Sequence, residues 1–221
     1  MRTTALLLLF ASLLLLTACK KETDAQTTPS DPSPSASISD FSKLAVGNYW
    51  VYERVKIDSM GNDLGAPYWE DSVFVAGDTV LNGQEWFMLG KAHDGFYVSA
   101  SNRPTRDSAD CLVDKYWGIQ YCVDKYDQVL QTDSDAAPNS LVLHWYITSA
   151  QETIVVPAGT YDCHQVTADW MTYGTFTSFY LPSWKRPRRY WASGVGKVQW
   201  FDFYAASNEG YRYDLVRYHV Q

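Results

Sequence analysis

Tyr49-Trp50-Val51-Tyr52-Glu53-Arg54-Val55-Lys56-Ile57 is a run of nine residues with a period of two. Tyr49, Val51, Val55 and Ile57 share one face with Glu53, while Arg54 and Lys56 point to the other, as in a β-strand. Downstream, Asp71–Ala76 repeats the pattern, and Thr79–Phe87 reads as a hairpin hinged on Asn82-Gly83. Asn-Gly accepts positive φ at both turn positions, which matches the twist of the flanking strands. Further strands are expected near residues 95–100, 111–116, 119–126, 141–147, 151–156, 160–170, 173–181, 189–192, 195–204 and 211–219. No run keeps helical periodicity over a normal helix length, and the one expected exception is a short turn at Phe41–Leu44 behind an Asp40 cap. Residues 41–221 therefore read as a single all-β domain, mainly antiparallel.

The N-terminal segment says where such a domain lives. Arg2 supplies a short positive region, and Ala5–Leu16 an apolar stretch broken only by Ser12. A membrane span needs about 20 apolar residues to cross roughly 30 Å of hydrocarbon, so residues 1–18 read as a cleaved signal peptide. Leu16-Thr17-Ala18-Cys19 resembles the lipobox of bacterial lipoproteins, in which small residues precede a cysteine whose sulfur takes a diacylglycerol before cleavage. Cys19 then becomes the first mature residue, and several acyl chains together make a stable anchor. Residues 19–40 carry that cysteine and a Ser/Thr/Pro/Asp tether with almost nothing to bury. In enteric lipoproteins an Asp after the lipidated cysteine marks retention at the inner membrane. Lys20 stands there instead, which points to the outer membrane, and Lys21-Glu22-Thr23-Asp24 loosely resembles a surface-export signal.

Removing residues 1–18 from the 221 leaves 203 and takes away the charge of Arg2, moving the formal balance from −7 to −8. An acidic chain with no basic half excludes nucleic acid as the expected partner.

Three further stretches carry a resemblance. Val46-Gly47-Asn48-Tyr49-Trp50-Val51-Tyr52, Val156-Pro157-Ala158-Gly159-Thr160-Tyr161-Asp162-Cys163-His164-Gln165-Val166 and Tyr190-Trp191-Ala192-Ser193-Gly194-Val195-Gly196-Lys197-Val198 look like the landmarks of a loose group of Gram-negative lipoproteins. The resemblance implies a single long curved sheet or half-barrel similar to LolA/LolB-type lipoprotein carriers, and it brings no catalytic residue. The same residues make sense as structure. Pro157 cannot donate to a ladder and Gly159 accepts positive φ, so one strand ends there and another begins. Gly194-Val195-Gly196 lacks the Lys-Ser/Thr of a phosphate loop and reads as a bend in a curved sheet.

With Cys19 assigned to lipid, Cys111, Cys122 and Cys163 remain. In an oxidising envelope the expected disulfide is Cys111 to Cys122, because the eleven-residue step folds back as a hairpin near Lys115–Gly118. Cys163, inside a strand, reads as a small buried hydrophobe. His93, His144, His164 and His219 show no paired metal spacing, and Asp133-Ser134-Asp135 lacks the glycine and distal glutamate of a calcium loop. Asp107, Asp110, Asp114, Asp124 and Asp127 read as turn and outer-face carboxylates. No serine elbow is present. Catalytic residues, metal ligands and cofactors are accordingly expected to be none.

Two features are suited to recognition. The 16 Tyr and 9 Trp exceed what a core of this size needs. Lys185, Arg186, Arg188 and Arg189 put four cations into five residues of an acidic protein, a candidate contact for anionic head groups. The expected function is that of a non-catalytic envelope lipoprotein holding an amphiphile in a concave aromatic face, or a protein partner. The alternatives are a carbohydrate-binding accessory lipoprotein or an enzyme of unrecognised type.

Overall fold

The computed structural model describes residues 36–91, 103–134, 141–172, 186–203 and 207–221. After a short helix, α1 (Ile38–Ser42), come β1 (Tyr49–Ile57), β2 (Trp69–Leu81), β3 (Gln84–Lys91), β4 (Arg103–Ser108), β5 (Cys111–Asp114) and β6 (Gly118–Cys122). The second half holds β7 (Val129–Ser134), β8 (Leu141–Val156), β9 (Gly159–Thr172), β10 (Arg188–Ala192), β11 (Gly196–Phe203) and β12 (Gly210–His219). The strands form one 12-stranded sheet in the order β6-β5-β4-β3-β2-β1-β12-β11-β10-β9-β8-β7. Two meanders, β1 to β6 and β7 to β12, are thus joined in the middle by the antiparallel β1–β12 pair.

This order forces curvature. A flat sheet of twelve strands is about 50 Å wide at about 4.8 Å per gap. Its two edge strands, β6 and β7, are joined in sequence by residues 123–128 alone, a chain that reaches at most about 25 Å. The sheet must curl until its edges approach, and register shifts at Val51/Tyr52, Val75/Gly77, Leu112/Val113, Tyr190/Trp191 and Ile147/Gln151 provide the bends. The result is a nearly closed, barrel-like antiparallel sheet with very little helix.

The seam between β6 and β7 is closed by a side chain. Gln131 Oε1 accepts from the Ile119 amide at 2.7 Å, and Gln131 Nε2 donates to the Trp117 carbonyl at 3.1 Å. A primary amide offers the donor and acceptor of a peptide group, so Gln131 supplies one rung where backbone pairing is missing. Gly118 makes room for it. Its φ is +67°, and a Cβ there would overlap the Gln131 carboxamide.

The strand directions divide the barrel into two ends. The turns Asn82-Gly83, Ala109-Asp110, Pro157-Ala158 and Ser193–Val195 lie at one, and α1 closes it. Ser37 caps the helix, with Asp40 completing a capping box. Five residues are too few to hold a helix alone, so packing must do it. The Phe41 ring lies 4.6 Å from that of Tyr121, the Asp40 carbonyl accepts from Gly194 at 2.7 Å, and Ser42 Oγ donates to Asp107 at 2.9 Å.

Rings occupy the inside. Trp50 Nε1 donates to the Val195 carbonyl at 2.7 Å, Tyr52 meets Trp200 edge-on at 4.5 Å, and Trp200 stacks on Tyr213 at 4.4 Å. Tyr121 stacks on Trp191, and His164 on Tyr126. Nearer the other end, Arg189 lies over Trp145 at 4.4 Å and donates across the barrel to Gln120 at 3.0 Å. The surplus of aromatics is absorbed here. The expected open face that would cradle an acyl chain is, among the described residues, filled by the protein's own side chains.

Several expectations are corrected. The helix begins at Ile38 rather than Phe41, and Ile38 is buried. Residues 141–147 and 151–156 belong to one strand with a bulge between them. β4 and β7 were not expected at all. The strands expected near 95–100 and 173–181 lie outside the described residues.

Candidate functional site

The end opposite α1 is where the chain exposes large apolar side chains on its connections. Met60, Leu64 and Tyr68 follow β1, and Tyr116 and Trp117 form the β5–β6 turn. Tyr116 is 66 % exposed and Trp117 53 %. Large apolar side chains exposed on connections are candidates for contact with a partner. At the α1 end the exposed apolar residues are mainly valines on strand ends and short connections, Val46, Val80, Val129 and Val155.

The Tyr116–Trp117 turn is held from beneath. Asp114, almost fully buried, accepts from the Tyr116 and Trp117 amides at 2.8 and 2.9 Å through one oxygen and pairs with Arg103 through the other. The Arg103 guanidinium lies over the Trp117 ring at 5.6 Å. Gln120 and Gln131 both donate to the Trp117 carbonyl. A fixed turn presenting two rings loses little conformational entropy on contact, which is what binding hot spots require. Asp133 serves the same region by accepting from Trp145 Nε1 at 2.7 Å.

Of the four cations expected to act together, the three described ones are separated. Lys185 lies outside the described residues. Arg186 is exposed but bridged to Asp169 at 3.0 Å. Arg188 lies over Phe201 on the outer face, and Arg189 points into the barrel. Adjacent strand residues face opposite ways, so Arg188 and Arg189 part to opposite faces of β10. Loss of water around Arg189 pulls its pKa down, while the carboxylates of Asp202, Asp133 and Asp114 pull it back up.

Cys111 and Cys122 form the disulfide that staples β5 to β6, and they are Cα partners in that ladder. Cys163 is free and buried, and burial with the nearby charges of Asp162 and Glu152 pushes its thiol up to about 12. A thiol held protonated is no nucleophile at neutral pH. Burial lowers the pKa of His164, which contacts Gln151 at 3.1 Å and faces Phe41 and Tyr126. His144 pairs with Thr132, His219 stacks on Tyr49, and His93 lies outside the described residues. Cys19 also lies outside them. Among the described residues no group of three metal-ligating side chains gathers, and no helix is long and apolar enough to cross a membrane.

The braced turn was not foreseen. Asp114, Trp117, Gly118 and Gln131 are ordinary loop and strand letters, and only the side-chain rung between non-adjacent segments gives them a joint role.

No family model matches the chain, and neither does any curated protein. Among solved structures it is similar to a "putative lipoprotein" from Parabacteroides distasonis ATCC 8503, 13% identical, covering 80% of this chain and 96% of that one at a TM-score of 0.37. It is also similar to a "putative exported protein with YmcC-like fold" from Bacteroides fragilis NCTC 9343, 10% identical, covering 80% and 97% at a TM-score of 0.37. Likenesses this distant assign neither an activity nor a partner to the chain.

Proposed function

We propose that the chain is a non-catalytic lipoprotein of the outer membrane, anchored through Cys19, whose barrel holds an amphiphile or an envelope protein from its outer surface near the end remote from α1. The observation that carries this reading is the contrast between a ring-filled interior and the braced, exposed Tyr116–Trp117 turn. The carbohydrate reading asks for several exposed, coplanar tryptophans, and among the described residues Trp117 is the single tryptophan in the exposed class.

The anchor is tested by Cys19→Ser, which should abolish acylation, globomycin-sensitive processing and partition into detergent. Normal processing with retained partition would refute the lipobox. Recognition is tested with a photo-crosslinking residue at position 117 or 80 of the membrane-anchored protein. Specific adducts should form from position 117 and not from position 80, and the reverse would place recognition at the other end.

A further inference from the structure

We infer that the outer face of β2, β3 and β4, beside the Tyr116–Trp117 turn, is a groove for a single-chain fatty-acid carboxylate. The inference rests on the amphiphile-binding reading above and gives it a place and a ligand chemistry. Phe87 and Leu89 pack inward against the core, so Met88 between them faces out. There it lies opposite Gly77 on β2 and Pro104 on β4. Ala76, Thr79, Leu81, Met88, Pro104 and Tyr116 line a shallow, open depression of about 520 Å³.

The charge of the lining is one-sided. Lys115 is its single ionisable amine, no carboxylate lines the depression, and Lys115 forms no ion pair among the described residues. Its amide is held by the Pro104 carbonyl at 2.9 Å, and its ammonium lies 5.7 Å from the Tyr116 ring. The Ala76 bulge and Gly77 remove side-chain bulk from the β2 wall. One track past Leu81, Met88 and Pro104, leading to a cation that pairs with no carboxylate among the described residues, complements a ligand with one apolar chain and one anionic end. The flexible Met88 side chain suits a chain of variable contour.

The test uses Ala36–Gln221, the compact unit that contains every described element, with a dansyl-labelled undecanoate and its methyl ester as probes. The acid should bind and be displaced by unlabelled dodecanoate. Met88→Gln should weaken both probes, and Lys115→Gln should weaken the acid about tenfold at low salt while leaving the ester unchanged, because an exposed charge contact fades with screening. Val155→Ala, an exposed side chain at the α1 end and outside the groove, should leave both probes unchanged. Absence of displaceable binding overturns the inference, as does binding indifferent to Met88→Gln and Lys115→Gln, or co-sedimentation with phosphatidylglycerol vesicles in place of uptake of the monomeric acid. Adducts from position 117 that persist in the Lys115→Gln chain, alongside failed probe binding, would leave the recognition reading standing and remove only the groove.

Discussion

At the end closed by α1 the strands are joined mainly by two- and three-residue turns, Asn82-Gly83, Ala109-Asp110, Pro157-Ala158 and Ser193–Val195, and the space between them is taken by Ile38 and Phe41. At the other end, among the described residues, lie the connection through residues 58–68 and the short Lys115–Trp117 turn. The first end obeys the rules of tight turns and buried volume, so its residues are constrained by folding. The second carries the 58–68 connection, long enough to vary without disturbing the ladders, which is where binding residues are commonly carried. The seam at Gln131 lies between the two regimes, structural in geometry yet supporting the exposed turn.

If this contrast is right, truncation at the α1 end must cost far more stability than truncation at the other. Phe41→Ala removes a nearly buried ring between Tyr121 and His164 and should lower stability by about 3–5 kcal/mol, seen as a shifted denaturant midpoint. Replacing Cys111 and Cys122 by Ser opens a loop of 11 residues and should cost about 2–4 kcal/mol, a loss that reduction of the wild type should reproduce. Gln131→Ala deletes the rung at the seam and should cost about 1–3 kcal/mol. Hydrogen exchange at the Ile119 amide should rise, whereas amides in β1 and β12 stay protected.

A pH titration separates the two ends differently. The pKa of His164 is depressed by burial, so the folded state binds fewer protons than the unfolded chain. Its contribution is complete above the ordinary histidine value near 6.5 and is lost as pH falls through the lower folded value. Melting temperature should therefore drop on that acid limb, and His164→Gln should flatten it. Tyr116→Ala with Trp117→Ala should give the smallest change in stability, within about 0.5 kcal/mol for surface side chains, together with loss of recognition at that end.

Legibility followed the same division. Strands with apolar alternation, such as Tyr49–Ile57, and corners with demanding backbones, such as Asn82-Gly83 and Pro157–Gly159, could be read directly. β4 escaped because Arg-Pro-Thr-Arg-Asp-Ser contains no aliphatic residue, and its inward positions hold Arg103, Thr105 and Asp107, satisfied by Asp114 and Ser42. β7 was hidden in the same way by Gln131 and Asp133. The helix start was masked by its own cap, since Ser37 and Asp40 look like a continuation of the Ser- and Asp-rich tether. The cation run was misread at its strand boundary: the strand was expected from residue 189 but begins at Arg188, which sends Arg188 and Arg189 to opposite faces.

A barrel whose last rung is a side chain has a circumference that one codon can alter. Backbone ladders shift only in steps that carry every side chain of a strand with them, and a slip along β6 or β7 would invert the interior. A carboxamide at the end of three rotatable bonds has no such restriction, because it can reach a neighbouring amide without moving the strand that bears it. The seam is thus the place where this architecture can drift between an open sheet and a closed ring, while the eleven backbone-paired junctions elsewhere keep their register.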